Sequence, residues 1–395
     1  MVDDGVRVSE VRVGFVLLPV HLLGIHNYLR SLMGAVAMLP GKPIVPVIFC
    51  GNNRKDVSAD FPGIEMVWTS LLDRKSAAWW ARKILMKLTG EDVLLRRLLQ
   101  KHGVTVLSHS LHLGRQSLVK TIGWIPDFQH VHLPRFFSNE ERAAERAGFL
   151  DLCARCDRVV VSSENALEDL RSFSPEHAHK GELLRFVASP IAPGDVACLE
   201  EMQRLYGFAG KYFLLPNQFW AHKNHRLVIE ALAVLKERGE RVLVLATGSL
   251  KDHRHPEFFD SLMRLVHECD VLDCFRVLGV IPFEHLACLM RHAVAFINPS
   301  RFEGWSTSVE EAKSMGKLIL LSDIAVHREQ NPARGIFFSP EDEEGLADAM
   351  VAAREAFDAA EDEALQLAAR SEYPVRLREF GEAYLRIVLK TVEGK

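Results

Sequence analysis

The feature that most constrains this chain is an alternation, met twice along its length, of short β-branched runs with longer stretches of helical pattern. Runs at 11–18, 44–50, 64–69, 104–107, 121–125, 158–161 and 183–187 read as strands, with helical patterns such as 25–38 and 91–101 between most of them. The runs are apolar on both faces, as strands sandwiched between helix layers must be. Strand–helix–strand alternation of this kind implies parallel sheets wrapped by helices. The pattern breaks at 188–195, where two prolines and a glycine stand close together, a composition of turns. It then restarts, with strands at 212–215, 241–247, 276–278, 294–298, 318–321 and 335–338, helices at 223–238, 256–269, 283–291, 306–315 and 341–357, and a last amphipathic helix over 374–392. The expected fold class is α/β. Two doubly wound, Rossmann-like domains, 1–195 and 196–372, face a cleft, and a C-terminal helix, 373–395, packs back on the first domain. Ligands of such domains sit at the carboxyl ends of strands, against helix N-termini.

Composition narrows the function. With 395 residues, 48% of them hydrophobic and 25% charged, the chain has the balance of folded globular protein. A net charge of −4 gives no reason to expect a nucleic-acid partner. No apolar run reaches the roughly 20 residues that span a bilayer, and the acidic, polar residues 1–10 do not read as a signal peptide; a cytoplasmic address is expected. Seven scattered cysteines suit reduced thiols. Cys153 and Cys156 form a C-x-x-C, but on a helical stretch opened by a capping box of Ser138 and Glu141, with no second pair at zinc spacing. They read as two positions of one helix, and no metal site is expected.

The most informative segment is 297–316. A strand runs out at Pro299, a polar turn carries Glu303 and Gly304, and a helix begins near Ser306. The backbone N–H groups of Trp305, Ser306 and Thr307 at such a helix start suit an anionic group. A carboxylate beside them suits sugar or ribose hydroxyls, because it accepts and does not donate. Glu303 and Glu311 stand eight residues apart, followed by Ala312 and the helix-closing Gly316. This stretch resembles the Glu-x7-Glu signature of retaining GT-B glycosyltransferases of the family-four clan. The resemblance continues through Ser322–Asp323, Arg328–Glu329 and 336–340. It implies that Glu303 meets the donor sugar and Glu311 the ribose. Trp305 and Ser306 stand where the family often has Phe-Gly, a departure that bears on donor identity.

A second segment, 214–225, follows a strand and opens a helix. It resembles the family's diphosphate-binding stretch, with Lys223 at the lysine position and Asn217 and Gln218 beside the donor; Gln218 replaces the usual arginine. Gly248 and Gly279 fall at two glycine turns the family uses. In the first domain, Gly24 precedes a helix after strand one, where the family has a double glycine. The loop 123–134 resembles the family's His-Asp loop: Asp127 and Pro134 match, Pro126 stands at the histidine position, and either His130 or His132 is the candidate to replace it. Residues 74–88 combine five cations, two tryptophans and apolar helical spacing. They fit a half-buried helix with a solvated basic face, or one that rests on an anionic bilayer or a lipid-linked acceptor.

The resemblance thus implies a metal-independent retaining glycosyltransferase, moving a sugar from a nucleotide-diphosphate sugar to a saccharide or lipid-linked acceptor in surface polysaccharide or glycolipid synthesis. Catalytic candidates are Glu303, Lys223, Asp127 and one of His130 and His132. A nucleotide-sugar epimerase of the same fold and a non-catalytic nucleotide-sugar-binding protein are the alternatives.

Overall fold

The computed structural model describes residues 10–17, 23–110, 112–114, 117–189 and 198–394. Residues 190–195 of the expected break, residues 18–22 and residues 1–9 lie outside it. Among the described residues the chain forms two compact units. The first comprises residues up to Phe128, Ala143–Val187 and Val375 onward; the second comprises Gln129–Arg142 and the chain from Ala188 to Pro374.

In the first unit the strands are β1 (Val11–Val16), β2 (Ile44–Cys50), β3 (Glu65–Trp68), β4 (Val106–Ser108), β5 (Lys120–Trp124), β6 (Arg158–Val161) and β7 (Gly181–Leu183). They form one parallel sheet in the order β3-β2-β1-β4-β5-β6-β7. The chain reverses its direction of growth between β1 and β4, which makes that the topological switch point. The last strand lies earlier than the 183–187 expected. β6 is short, and its register pairs Val159–Val161 with Gly181–Leu183; once that partner is used up, the following apolar residues have no ladder to join.

The second unit holds β8 (Tyr212–Leu215), β9 (Leu243–Thr247), β10 (Phe275–Gly279), β11 (Phe296–Asn298), β12 (Ile319–Ser322) and β13 (Gly335–Phe338). Their order is β10-β9-β8-β11-β12-β13, all parallel, with the switch point between β8 and β11. Successive residues of β8 go to opposite cores. Phe213 and Leu215 pack with the helix His225–Glu237, while Tyr212 and Leu214 pack with Leu289, Val309 and Met315. Burial on both faces is why these strands lack a polar side in sequence.

The terminal helix begins earlier than expected, running Ala359–Glu393 with Pro374 inside it. The stretch 359–373 is rich in good helix formers, and Pro374 does not end the helix; the boundary between the two units falls there instead. The first part of this helix is fixed to the second unit by a buried cation. Lys317 is fully buried and its Nζ donates to Asp362 Oδ2 at 2.5 Å and to the Ala293 carbonyl at 2.5 Å. Asp362 also accepts from Arg334 at 2.7 Å and from Gln366 at 2.8 Å.

Removing one partner of a buried pair leaves the other charge uncompensated. Asp362→Ala is therefore expected to destabilise the second unit by about 3–5 kcal/mol in urea unfolding, and the double change Lys317→Met/Asp362→Leu to recover most of that loss. Equal stability of Asp362→Ala and the parent would show that the pair does not hold the helix.

Candidate functional site

The loops that leave β8 and β11 lie on either side of the second sheet's switch point, and the strongest motif residues stand on them. After β8 the chain makes the short turn Ala221–Lys223, then Asn224 in the left-handed region (φ 57°), then the helix His225–Glu237. Asn224 justifies that backbone: its Nδ2 donates to the carbonyls of Pro299 (3.1 Å) and Pro340 (2.9 Å), and its Oδ1 accepts from Arg301 Nε at 3.2 Å. The Arg301 N–H in turn donates to the His222 carbonyl at 2.9 Å. The Lys223 turn is thereby tied to the loop that carries Glu303.

Lys223 Nζ donates to Glu303 Oε1 at 2.7 Å, and Ser300 Oγ donates to the same oxygen at 2.7 Å. Burial acts to raise the Glu303 carboxyl, but the Lys223 ammonium beside it prevails and holds it down at about 2. His222 lies in the same cluster. Burial pushes its imidazole down to about 3, with the charge of Lys223 adding to the effect, so it is neutral. His225 is likewise brought to about 3 by burial, and its ring stacks on Phe219 at 4.2 Å. These two histidines flank the lysine without joining in its charge.

Asn298, at the end of β11, organises the loop that follows. Its Oδ1 accepts from Ser300 Oγ at 2.7 Å, and its Nδ2 donates to Ser306 Oγ (2.7 Å) and Ser308 Oγ (3.1 Å). Trp305, Gly304 and Ser306 are buried. The Ser306 N–H does not stand open for an anion, as its place before the helix suggested. It donates to Gln330 Oε1 at 3.2 Å, and Gln330 Nε2 returns to the Ser306 carbonyl at 3.0 Å. Thr307 begins the helix Thr307–Met315, and Glu311 follows one turn on, half-buried. No hydrogen bond or ion pair reaches the Glu311 carboxyl among the described residues, and burial pushes it up to about 7. The two acidic positions of the motif are thus electrostatically opposite: Glu303 ionised and paired, Glu311 poised to hold a proton near neutrality.

Asn217, Gln218 and Gly248 meet at the ends of β8 and β9. Gly248 has φ 130°, and a Cβ there would stand 2.6 Å from the Asn217 carbonyl oxygen and 2.9 Å from Gln218 Cα, so only glycine fits. Asn217 is buried and its Nδ2 finds no partner among the described residues, an orphan donor of the kind that a ligand satisfies. The loop after Gly248 adds residues that the sequence did not single out. Asp252 accepts from the Ala221 N–H at 3.1 Å and from the Arg254 N–H at 2.9 Å. Arg254 lies over the Phe137 ring at 4.0 Å, donates to Gln129 at 3.1 Å, and its charge is felt at His222.

The segment 129–142 belongs to this second unit, and the capping box is formed in it, Ser138 and Glu141 exchanging bonds of 2.8 and 3.1 Å. His132 is exposed and stacks on Phe302, next to Glu303, at 5.0 Å; His130 is buried with its ring edge-on to Phe137 at 6.4 Å. Of the two, His132 is the one placed beside the Glu303 loop. Asp127 is half-buried in the first unit, and Gly24 falls within the helix Leu23–Ala37 instead of in a loop before it. Cys153 and Cys156 are core residues whose thiols burial pushes up, Cys156 to about 12, as for small apolar side chains.

Comparison with known proteins bears on the family and the fold. Residues 210–355 match the family model of the glycosyl transferases group 1. Over 139 residues it is 25% identical to the O-antigen chain mannosyltransferase RfbU of Salmonella typhimurium, a match that spans 35% of this chain and 37% of that protein. Among solved structures, a glycosyltransferase from Rickettsia africae superposes with a TM-score of 0.66 at 16% identity, covering 96% of this chain and 99% of the other. HepE from Anabaena, in complex with UDP and glucose, superposes with a TM-score of 0.67 at 12% identity, covering 96% of this chain and 100% of the other. The fold is that of the GT-B glycosyltransferases.

The raised Glu311 carboxyl has a sign that can be tested. Folded protein holds this proton more tightly than unfolded chain, so the stability involved is complete below the ordinary value of 4.5 and is lost as the pH rises through about 7. Melting temperature should therefore fall between about pH 4.5 and about pH 8 in the parent and fall less in Glu311→Gln, which stays neutral throughout. Parallel melting curves for the two would contradict the assignment.

Proposed function

We propose that the chain is a retaining glycosyltransferase that transfers a sugar from a nucleoside-diphosphate sugar to an acceptor hydroxyl, with the donor held by the second unit. The observation that carries this reading is the Lys223–Glu303 pair at 2.7 Å across the switch point of the second sheet, inside the family-matched residues 210–355. Without a donor, each charge satisfies the other. A donor's diphosphate competes for the Lys223 ammonium, which frees Glu303 to accept hydrogen bonds from sugar hydroxyls. The anomeric carbon–oxygen bond to the diphosphate breaks, a bond to the acceptor oxygen forms on the same face, and the acceptor proton passes to the departing phosphate oxygen. Negative charge grows on that phosphate, so a cation already in place lowers the barrier.

Gln218 offers no charge where relatives have an arginine, and Arg254 is the residue we assign to that task. Asp252 bonds both the Arg254 and Ala221 backbone N–H groups, which ties the Arg254 backbone to the Lys223 turn, and the Arg254 charge reaches His222. With two cations on the diphosphate, the reaction as proposed needs no metal ion. Retention is what the resemblance of the 297–316 stretch to the signature of retaining relatives implies. A hexose donor and a role in surface polysaccharide synthesis draw support from the names of RfbU and of the HepE complex. On this reading the enzyme works at the cytoplasmic side.

The test is donor turnover across a panel of UDP- and GDP-hexoses, with product anomers read by NMR. Lys223→Ala and Glu303→Gln should each lose about 100-fold or more in kcat, the scale for removing one pre-placed stabilising group. Near-parental turnover in either variant refutes its role, and an inverted anomer refutes retention. Arg254→Gln should weaken UDP binding about tenfold by calorimetry, or roughly 1.4 kcal/mol. Unchanged affinity would return the second phosphate contact to another residue.

A further inference from the structure

The segment Gln129–Arg142 leaves the first unit after Phe128, packs with the second, and gives way to the first again at Ala143. Its elements are short: the helical turn Gln129–His132, the turn Pro134–Phe136 and the first residues of the helix Asn139–Arg155. Pieces this short do not hold their shape alone, and local bonds fix them. Pro134 pre-sets the backbone of its turn, and the Phe137 N–H closes that turn on the Pro134 carbonyl at 3.2 Å. The Ser138–Glu141 box fixes the helix start that follows. Phe137 is thus anchored on both sides, in extended backbone (φ −130°, ψ 143°), with its ring buried.

Two consecutive aromatic residues of this segment meet two consecutive residues of the loop after β9. Phe136 is edge-on to the His255 ring at 5.6 Å, and the Arg254 guanidinium lies over the Phe137 ring at 4.0 Å. Gln129 is buried, and its Oε1 accepts from Arg254 Nη1 at 3.1 Å. On the loop's own side, Asp252 Oδ1 takes the N–H groups of Arg254 and His255 at 2.9 and 3.3 Å. Backbone and side chain of Arg254 are therefore held by different parts of the chain. Asp252 fixes the first; Gln129 and Phe137 fix the second.

The nature of those two partners decides what the guanidinium can still bind. Both are neutral, so they place the cation without cancelling it, whereas a carboxylate in their place would compete with any anion. Glu141, whose carboxylate also senses Arg254, accepts from the Ser138 N–H at 2.8 Å. A ring face attracts a guanidinium through its π electrons, and the planar fork of N–H donors suits phosphate oxygens. The same segment reaches the Glu303 loop, where His132 stacks on Phe302 at 5.0 Å.

We infer that Gln129 and Phe137 are positioning residues for the donor: they hold the Arg254 guanidinium ready for the diphosphate before the donor arrives. This rests on the assignment of Arg254 to a phosphate made above. It adds that the second phosphate contact is built with a side chain from 125 residues upstream. A long arginine stem loses rotamer freedom when it grips a ligand, and holding it beforehand removes that cost from binding.

The experiment titrates UDP and GDP separately into the full chain by calorimetry, and carries the tighter of the two to the variants. Phe137→Leu keeps an apolar side chain without a ring face and should weaken binding about fivefold, whereas Phe137→Trp should bind as the parent does. Gln129→Met should weaken it about threefold, the scale of one hydrogen bond. In an Arg254→Gln background Phe137→Leu should cost nothing further, because a positioning residue acts only through the group it positions. Gln129→Met, which alters no ring, runs the same cycle where Phe137→Leu does not fold. A loss that persists at full size in the Arg254→Gln background marks a merely structural role and overturns the inference. So does parental affinity in Phe137→Leu when Arg254→Gln binds weakly, an outcome that leaves the Arg254 assignment standing. Parental affinity in Arg254→Gln fails that assignment and this inference with it, and binding of neither nucleotide to the parent fails the proposed reaction.

Discussion

A parallel strand buried on both faces can offer polar chemistry only where it ends, and both units are organised around that restriction. In β8 the side chains alternate between two apolar layers, so the sheet itself carries no reactive group. The chemistry moves into the loops at its carboxyl edge, and the reversal of strand order between β8 and β11 splays two of those loops apart. Lys223 leaves one and Glu303 the other. Asn224 then ties its loop to the neighbouring one through the Pro299 carbonyl, and Asn298 holds its own loop in shape through the Ser306 and Ser308 hydroxyls. The ion pair is as rigid as those two asparagines make it.

Much of this was legible in sequence. The strands showed as apolar runs, and the helix boundaries as capping residues and glycines, because both signals are local. Lys223 and Glu303 could be found one at a time, each within its own motif. That they neutralise one another could not, since 80 residues separate them and no local pattern records a long-range pair. Gln330 is a similar case. It sits on the short helix Ala325–Gln330, too brief to show a period, and its value lies in clamping Ser306 from 24 residues away. The open Ser306 amide was inferred from helix-end geometry, which is blind to a side chain arriving from elsewhere. Asp252 and Arg254 stood in a loop whose composition marks only turns.

Where proline and glycine were read as punctuation, the outcome depended on their surroundings. Gly248 fits that reading because backbone from Asn217 and Gln218 crowds the space a side chain would take. Pro374 does not, since good helix formers flank it and the helix Ala359–Glu393 runs on. The prolines of the break expected at 188–195 lie outside the described residues. Local propensity is a sum over a window, and a single breaker decides only when the window is weak.

The buried ammonium of Lys317 has a use beyond holding a helix. Amine-reactive reagents label lysines that meet water, and this one meets none. Its labelling rate would report how often the segment 359–374 lifts from the second unit, a local opening far smaller than global unfolding. The position is thus a clock for the motion of one helix, readable by mass spectrometry without altering the site.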